Sequence, residues 1–263
     1  MPTKLGVAVL GATGRLGTQI VARVLGSPTL RLAAAVTRAG HPKLGQDAGA
    51  AAGATRAGVP ITAVASGCFN DAHVVIDVST AGVIAHAAAF LVGRPLVSGV
   101  TGQTPDARIA LMAHAAEAPV LIASNFSAGV HVLADLVRRA AAALPDHDVE
   151  IIEAHHRGKV DAPSGTALLL AEAAAAARGR TLDDAVYGRR GRTSRGGEIG
   201  IHALRGGDIV GEHQVWLAGD GERLLLGHTA TSREVFAVGA LRAAAWLVHQ
   251  PPGTWGMPDA LGL

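Results

Sequence analysis

The feature that most constrains the fold lies near the start of the chain. There an apolar run at residues 5–10 leads without a break into Gly11-Ala12-Thr13-Gly14-Arg15-Leu16-Gly17 and then into a helical pattern over residues 16–25. Each glycine has a separate physical use. The first permits a tight turn at a strand end, the second lets backbone N–H groups approach a pyrophosphate, and the third allows the helix to pack closely on the strand. The helix N-terminus adds partial positive charge where phosphates would lie. A plain glycine-rich turn would satisfy the same spacing, so the weight rests on the order strand, glycines, helix at the head of an alternating pattern.

That alternation continues. Further short apolar runs occupy residues 32–37, 73–78, 95–98 and 119–123, with helical periodicity over 107–116 as well as 16–25. Strands separated by helices predict a parallel, doubly wound α/β sheet of the Rossmann type. The second half reads differently. A strand at 149–155 and a helix at 166–178 precede three β-rich runs, 198–204, 209–217 and 223–231, divided by Gly206-Gly207 and Gly219-Asp220-Gly221. Consecutive strands with tight turns predict an α+β domain whose open, mixed sheet is mostly antiparallel. We therefore expect a dinucleotide-binding domain at residues 1–126 and a second domain at 127–234. A last helical pattern spans 234–249, and the carboxy-terminal segment 235–263 is expected to return to the first domain.

Composition narrows the function classes. Hydrophobic residues make up 49% of the 263, yet aromatics only 3%, so the core must be aliphatic and alanine-rich. The formal net charge is +2 and the arginines are scattered, which argues against a nucleic-acid partner. One cysteine, Cys68, excludes an intramolecular disulfide and a cysteine-based zinc cluster and suits a reducing compartment. The opening Met1-Pro2-Thr3-Lys4 has no signal-peptide pattern and no stretch is apolar enough to span a bilayer, so the expected location is cytoplasmic, without membrane attachment.

A dinucleotide site that prefers NAD commonly ends its second strand in a carboxylate; here Thr37 is followed by Arg38. A guanidinium in that place can grip a 2′-phosphate through two hydrogen bonds, which favours NADPH over NADH, whereas a solvated Arg38 would leave both cofactors acceptable.

A second motif carries more chemistry: Glu153-Ala154-His155-His156-Arg157-Gly158-Lys159-Val160-Asp161-Ala162-Pro163-Ser164-Gly165-Thr166-Ala167. It reads as a strand ending in two histidines, a cationic loop and a capped helix start. Alternation along the strand sends His155 and His156 to opposite faces. Lys159 supplies a positive charge, and the amides at Gly165 and Thr166 can hold a carboxylate, so the segment points to a small dicarboxylate. Taken singly, a histidine pair at a strand end is often a surface feature and Ser-Gly-Thr is an ordinary helix cap. The twelve histidines show no metal-ligand spacing, so no metal is expected, and Ser164 lacks the G-x-S-x-G elbow of a serine nucleophile.

The segment 153–168 resembles the signature of the dihydrodipicolinate reductase family. The opening glycine loop, Leu44-Gly45-Gln46-Asp47-Ala48-Gly49, Asp77-Val78-Ser79, Gly99-Val100-Thr101-Gly102, Ser124-Asn125-Phe126-Ser127, the stretch from Arg205 to His213, and Ser232-Arg233 resemble family segments in the same order. The resemblance spans nearly the whole chain. It implies a cofactor-binding domain, a substrate domain whose open sheet builds a homotetramer, and NAD(P)H-dependent reduction of the cyclic imine formed from 4-hydroxy-tetrahydrodipicolinate. It further implies that Gly11, Ala12, Thr13, Gly14, Arg15 and Leu16 cradle the pyrophosphate and that Thr37 or Arg38 meets the adenosine ribose. Gly99, Val100, Thr101 and Ser124, Asn125, Phe126 and Ser127 would lie near the nicotinamide. His155 would donate or accept a proton, Lys159 would donate one, and His156, Gly165 and Thr166 would hold carboxylates.

Three positions depart from the family pattern: His131 in place of a usual Asn, Val100 in place of a second Thr, and Val78 in place of Phe. They bear on the surroundings of the nicotinamide and so on cofactor preference. An aspartate or diaminopimelate dehydrogenase would share the first motif but not the intact 155–166 segment. A cofactor-sensing protein without chemistry would be expected to lose His155 or Lys159.

Overall fold

The computed structural model describes residues 3–263; Met1 and Pro2, the start of the segment read as lacking a signal peptide, lie outside them. The described residues divide into two compact units, 3–127 with 234–262, and 128–233 with 263.

In the first unit the elements run β1 (Leu5–Leu10), α1 (Arg15–Leu25), β2 (Leu30–Thr37), α2 (Ala48–Ala51), β3 (Ile61–Ala63), β4 (Val74–Asp77), α3 (Val83–Ala87), β5 (Leu96–Ser98), α4 (Pro105–Ala115) and β6 (Pro119–Ile122). The second unit holds α5 (Ala128–Ala143), β7 (Asp148–His155), α6 (Gly165–Ala177), β8 (Val186–Tyr187), β9 (Gly200–Arg205), β10 (Gly211–Gly219) and β11 (Glu222–Ala230). The chain then returns to the first unit with α7 (Glu234–Leu247), β12 (Gly253–Trp255) and α8 (Met257–Leu261).

The first sheet has seven strands in the order β12-β6-β5-β4-β1-β2-β3, and every pairing is parallel. Helices cover both faces, which is why β1 and β4 are apolar and buried nearly throughout instead of alternating. Val7 and Val9 pack with Ile20, Val21 and Val24 of α1 and with Ala240, Ala243, Ala244 and Leu247 of α7. Ala8 and Leu10, on the opposite face, pack with Ile84 and Ala87 of α3 and with Ala107 and Leu111 of α4. Small residues let α7 come close: a Cβ on Gly239 would overlap the carbonyl oxygen of Phe126, just beyond β6. Close contact between α7 and the chain after β6 thus requires glycine at 239.

The second unit contains a five-stranded sheet in the order β11-β10-β7-β9-β8. Its core joins Val149 and Ile151 of β7, Ile201 of β9 and Val215 and Leu217 of β10 to Leu133 and Val137 of α5 and Leu170 and Ala174 of α6. The sheet is mixed, as expected, and its two longest pairings, β10 with β11 and β10 with β7, are antiparallel, but the expectation that consecutive strands are neighbours needs correction. β7 pairs antiparallel with β10 and parallel with β9, and β8 pairs parallel with β9. The strands β9 and β10, though joined by a short glycine turn, are not neighbours, because β7 lies between them. The turn passes the end of β7, where the Gly206 amide bonds to the His155 carbonyl at 2.9 Å and the Gly207 carbonyl accepts from Arg157 at 3.2 Å. Those two bonds take the place of the hairpin ladder the turn predicts.

Candidate active site

The residues expected to hold a dinucleotide gather at the carboxyl ends of adjacent parallel strands. Gly11 to Gly14 follow β1, Thr37 ends β2, Gly99 to Thr101 follow β5, and Ser124 to Ser127 follow β6. Since β2, β1, β4, β5 and β6 are neighbours running the same way, these ends line one edge of the sheet.

The three glycines of the first loop play distinguishable parts. Gly11 has φ +88°, and a Cβ there would lie 2.7 Å from the Ser79 amide nitrogen and the Val78 carbonyl oxygen. A Cβ on Gly17 would overlap the Gly11 carbonyl oxygen, so this residue sets how closely α1 lies on β1. Gly14 has an ordinary φ of −75° and its Cβ would meet only the Gly11 oxygen, at 3.3 Å. No backbone strain demands glycine at 14, the one tight contact would be relieved by a shift of a few tenths of an ångström, and the residue is exposed. It precedes a helix that has no side-chain cap and no acidic residue in its first turn. A bare, uncapped helix start of this kind fits a pyrophosphate.

At the end of β2, Thr37 is buried and shares a hydrogen bond of 2.8 Å with the Thr13 hydroxyl, while Arg38 is exposed. Val100 is buried and Thr101 is exposed. The Phe126 ring is buried against Gly99, where any side chain would run into it, so Phe126 serves packing through its ring. Ser124 is exposed, and the Asn125 side-chain oxygen accepts from the Ser127 amide at 2.7 Å. Asp77, at the end of β4, is buried with one oxygen bonded to the Ser79 amide and hydroxyl; burial raises its pKa against those two bonds.

The second constellation lies at the end of β7. Alternation places Glu153 and His155 on the same face of the strand, the face covered by α6, and His156 falls beyond the strand end. Glu153 is fully buried and saturated with donors. Both terminal nitrogens of the Arg205 guanidinium donate to it at 2.8 Å, the Ser164 amide donates at 2.9 Å, and His155 Nδ1 lies 2.6 Å from Oε2. His213 of β10 stands edge-on to His155 with ring centroids 5.2 Å apart, and its Nε2 lies 3.1 Å from the Ser164 hydroxyl. That hydroxyl caps α6 by accepting from the Ala167 amide at 3.1 Å. Gly165 and Thr166 open the helix, and a Cβ on Gly165 would meet nothing within 4 Å. Lys159 donates to Asp161 at 2.8 Å, with the aspartate mostly exposed. His156 is half-buried beside Gly158.

Electrostatics follow from these contacts. Burial works to raise the pKa of Glu153, but the Arg205 fork, His155 and the Ser164 amide outweigh it and hold the carboxyl below its ordinary range. Desolvation lowers the pKa of His155, with Glu153 pulling in the opposite direction. Burial, aided by the nearby His155, pushes His213 down to about 4, so it is neutral at neutral pH.

Sequence reasoning singled out His155, His156, Lys159, Gly165 and Thr166, and the 153–166 segment does bring them to one strand end and the helix that follows it. It assigned no part to Glu153, Arg205 or His213. Glu153 could have been found, since a carboxylate two residues before a strand histidine must share its face. Arg205 and His213 come from strands whose pairing with β7 only the sheet determines.

Comparison with known proteins covers both units. Residues 5–126 match the family described as dihydrodipicolinate reductase, N-terminus, and residues 129–261 match dihydrodipicolinate reductase, C-terminus. A protein named 4-hydroxy-tetrahydrodipicolinate reductase from Anaeromyxobacter dehalogenans is 49% identical over 263 residues, covering 98% of this chain and 97% of its own length. One of the same name from Halorhodospira halophila is 47% identical, covering 98% and 99%. Among solved structures, the dipicolinate-bound dihydrodipicolinate reductase from Paenisporosarcina sp. TG-14 has the same fold, with a TM-score of 0.73 at 22% identity over 98% of this chain and 99% of its own. The C. glutamicum DAP dehydrogenase in complex with DAP has a TM-score of 0.56 at 14% identity over 98% of this chain and 96% of its own, a likeness of fold alone.

Proposed function

The chain belongs to the dihydrodipicolinate reductase family, and on that premise we propose that it reduces the cyclic imine derived from 4-hydroxy-tetrahydrodipicolinate to tetrahydrodipicolinate, using NAD(P)H, within lysine and diaminopimelate biosynthesis. The observation that carries this reading is identity of 49% over nearly the full length of a reductase of that name, in a chain that keeps His155, Lys159 and the α6 start together.

The amides at Gly14, Arg15 and Leu16 hold the pyrophosphate, with Gly11, Ala12 and Thr13 shaping the turn beneath it. Arg38, exposed beyond β2, pairs with a 2′-phosphate and so favours NADPH, while Thr37 braces the loop through Thr13. Backbone and side-chain groups at Gly99, Val100, Thr101, Ser124, Asn125, Phe126 and Ser127 line the nicotinamide end. When bound, the reduced nicotinamide supplies a hydride.

Reduction of a conjugated imine creates electron density at carbon that a proton must meet. His155 supplies that proton from its imidazole. The dianionic substrate counteracts the desolvation that lowers the pKa of His155, since negative charge beside an imidazole favours its protonated form. Lys159 offsets negative charge as it develops and steers the dianion, while the Gly165 and Thr166 amides and His156 hold the carboxylates. No metal takes part in this scheme.

The sheet face turned away from α5 and α6 exposes Leu204 and Leu225, both 55% accessible, and this supports a homotetramer built on that face. Among the described residues no helix is long and apolar enough to cross a membrane, and we assign the enzyme to the cytoplasm.

The test is oxidation of NADPH and NADH by purified protein supplied with freshly generated 4-hydroxy-tetrahydrodipicolinate. Wild type is expected to oxidise the cofactor rapidly, with His155→Ala and Lys159→Ala slower by about a hundredfold. Cofactor binding without any oxidation would overturn the assignment. Light scattering at micromolar concentration is expected to give four times the chain mass, and a monomer would refute the tetramer.

A further inference from the structure

His155 is not an isolated imidazole. An ionised carboxylate can only accept hydrogen bonds, and Glu153 is held ionised by the Arg205 fork at 2.8 Å to each oxygen and the Ser164 amide at 2.9 Å. The contact of 2.6 Å between His155 Nδ1 and Glu153 Oε2 therefore requires the hydrogen on Nδ1, whether the ring is neutral or charged. Only Nε2 is left to gain and lose a proton. That nitrogen lies beside Gly211 of β10, where a Cβ would come within 3.1 Å of it, so a bare backbone keeps its flank open.

Resting on the reading of His155 as the proton-handling residue, we propose that Glu153 is a positioning residue that fixes the His155 tautomer, with Arg205 and Ser164 orienting Glu153 and Gly211 keeping Nε2 accessible. The strand register makes this possible. Glu153 and His155 share one face of β7, Arg205 stands opposite His155 on β9, and His213 stands opposite Glu153 on β10. The Ser164 residue that donates its amide to Glu153 also caps α6 and bonds to His213, so one buried network orients both the histidine and the helix start expected to take a carboxylate. The charged and titratable groups around His155 are Glu153 on its own strand, Arg205 and His213 on the flanking strands, and Lys159 in the loop that follows. Glu153 alone among these favours the imidazolium. Its neutralisation leaves Arg205 and Lys159 to disfavour it.

Two measurements test the inference. Nitrogen NMR of histidine-labelled wild-type protein, with the His155 signals assigned by their loss in His155→Asn, is expected to show Nδ1 protonated across the titration and Nε2 as the titrating atom. A neutral form carrying its proton on Nε2 would overturn the proposal without any variant at Glu153. In Glu153→Gln, kcat/KM is expected to fall about tenfold to a hundredfold. The limb of its pH profile that reports loss of the imidazolium should also move to lower pH. A merely structural role would lower activity without moving that limb, and an unmoved limb in a folded Glu153→Gln protein overturns the proposal. Loss of activity in His155→Ala alongside an unmoved limb in Glu153→Gln refutes this inference alone, whereas full activity in His155→Ala refutes the reading of the site on which it rests.

Discussion

A Cβ on Gly17 of α1 would overlap the carbonyl oxygen of Gly11 at the end of β1, so the first helix can lie on the first strand only because residue 17 has no side chain. The same loop contains a glycine with a far milder constraint, Gly14, whose Cβ would stand 3.3 Å from that oxygen, and the two make a paired test. Gly17→Ala must push helix from strand and is expected to cost about 2–3 kcal/mol of stability. Gly14→Ala is expected to unfold at nearly the wild-type denaturant concentration yet bind NADPH at least about tenfold more weakly, because the methyl group takes the phosphate's space. Urea unfolding and a cofactor fluorescence titration of both variants check this, and equal behaviour of the two would count against the assigned division of labour.

Arg38 decides cofactor preference if it meets the 2′-phosphate. A charge-assisted pair of this kind is worth about 1.5–3 kcal/mol, so Arg38→Ala is expected to weaken NADPH binding by roughly ten- to a hundredfold. NADH, lacking the phosphate, should be unaffected. Dissociation constants for both cofactors measured side by side give the answer, and a parallel loss for both would remove Arg38 from the ribose site.

His213 makes stability depend on pH in a defined window. An unfolded histidine takes up its proton near 6.5, whereas folded His213 does so only near 4. Between these values the unfolded chain binds more protons, so stability is complete above the upper value and falls as pH is lowered toward the lower one. Of a total on the order of 3 kcal/mol, about 2 kcal/mol is expected to be lost by pH 5. Burial shifts His155 and His228 in the same direction, which steepens the slope. Urea midpoints at pH 7.5 and 5 should therefore separate clearly in wild type and less in His213→Gln. The same separation in both proteins would assign the dependence elsewhere.

Gly211 tests the open flank of His155. Its Cβ would stand 3.1 Å from Nε2, a distance the ring can relieve by moving a few tenths of an ångström. Gly211→Ala is accordingly expected to fold with nearly unchanged stability but to lose about ten- to a hundredfold in kcat through misplacement of the imidazole. Steady-state kinetics beside a thermal melt would show this, and wild-type turnover would mean that Nε2 has room to spare.

Much of the molecule is legible in the sequence. The glycine loop after a buried strand, and the alternation that follows, predict the parallel sheet because those signals are local: chain direction, turn geometry and burial on both faces are written in consecutive residues. The 16-residue helix α5 is also legible, in the spacing of its buried Val130, Leu133, Val137 and Ala141. The short strands β3, β8 and β12, of two or three residues each, carry too little pattern to be distinguished from loop.

By itself the sequence determined which residues could do chemistry: a histidine pair, a lysine and a helix start within fourteen consecutive positions, and a phosphate-ready loop near the beginning. Tertiary structure alone decided how that chemistry is tuned. Arg205 reaches Glu153 across 52 positions and Ser164 meets His213 across 49, because β7 inserts between two strands that a short glycine turn predicts to be a hairpin. Strand order is set by which faces bury together in three dimensions. The hydrogen bonds that ionise Glu153 and orient His155 therefore follow from that packing, and no local pattern encodes them.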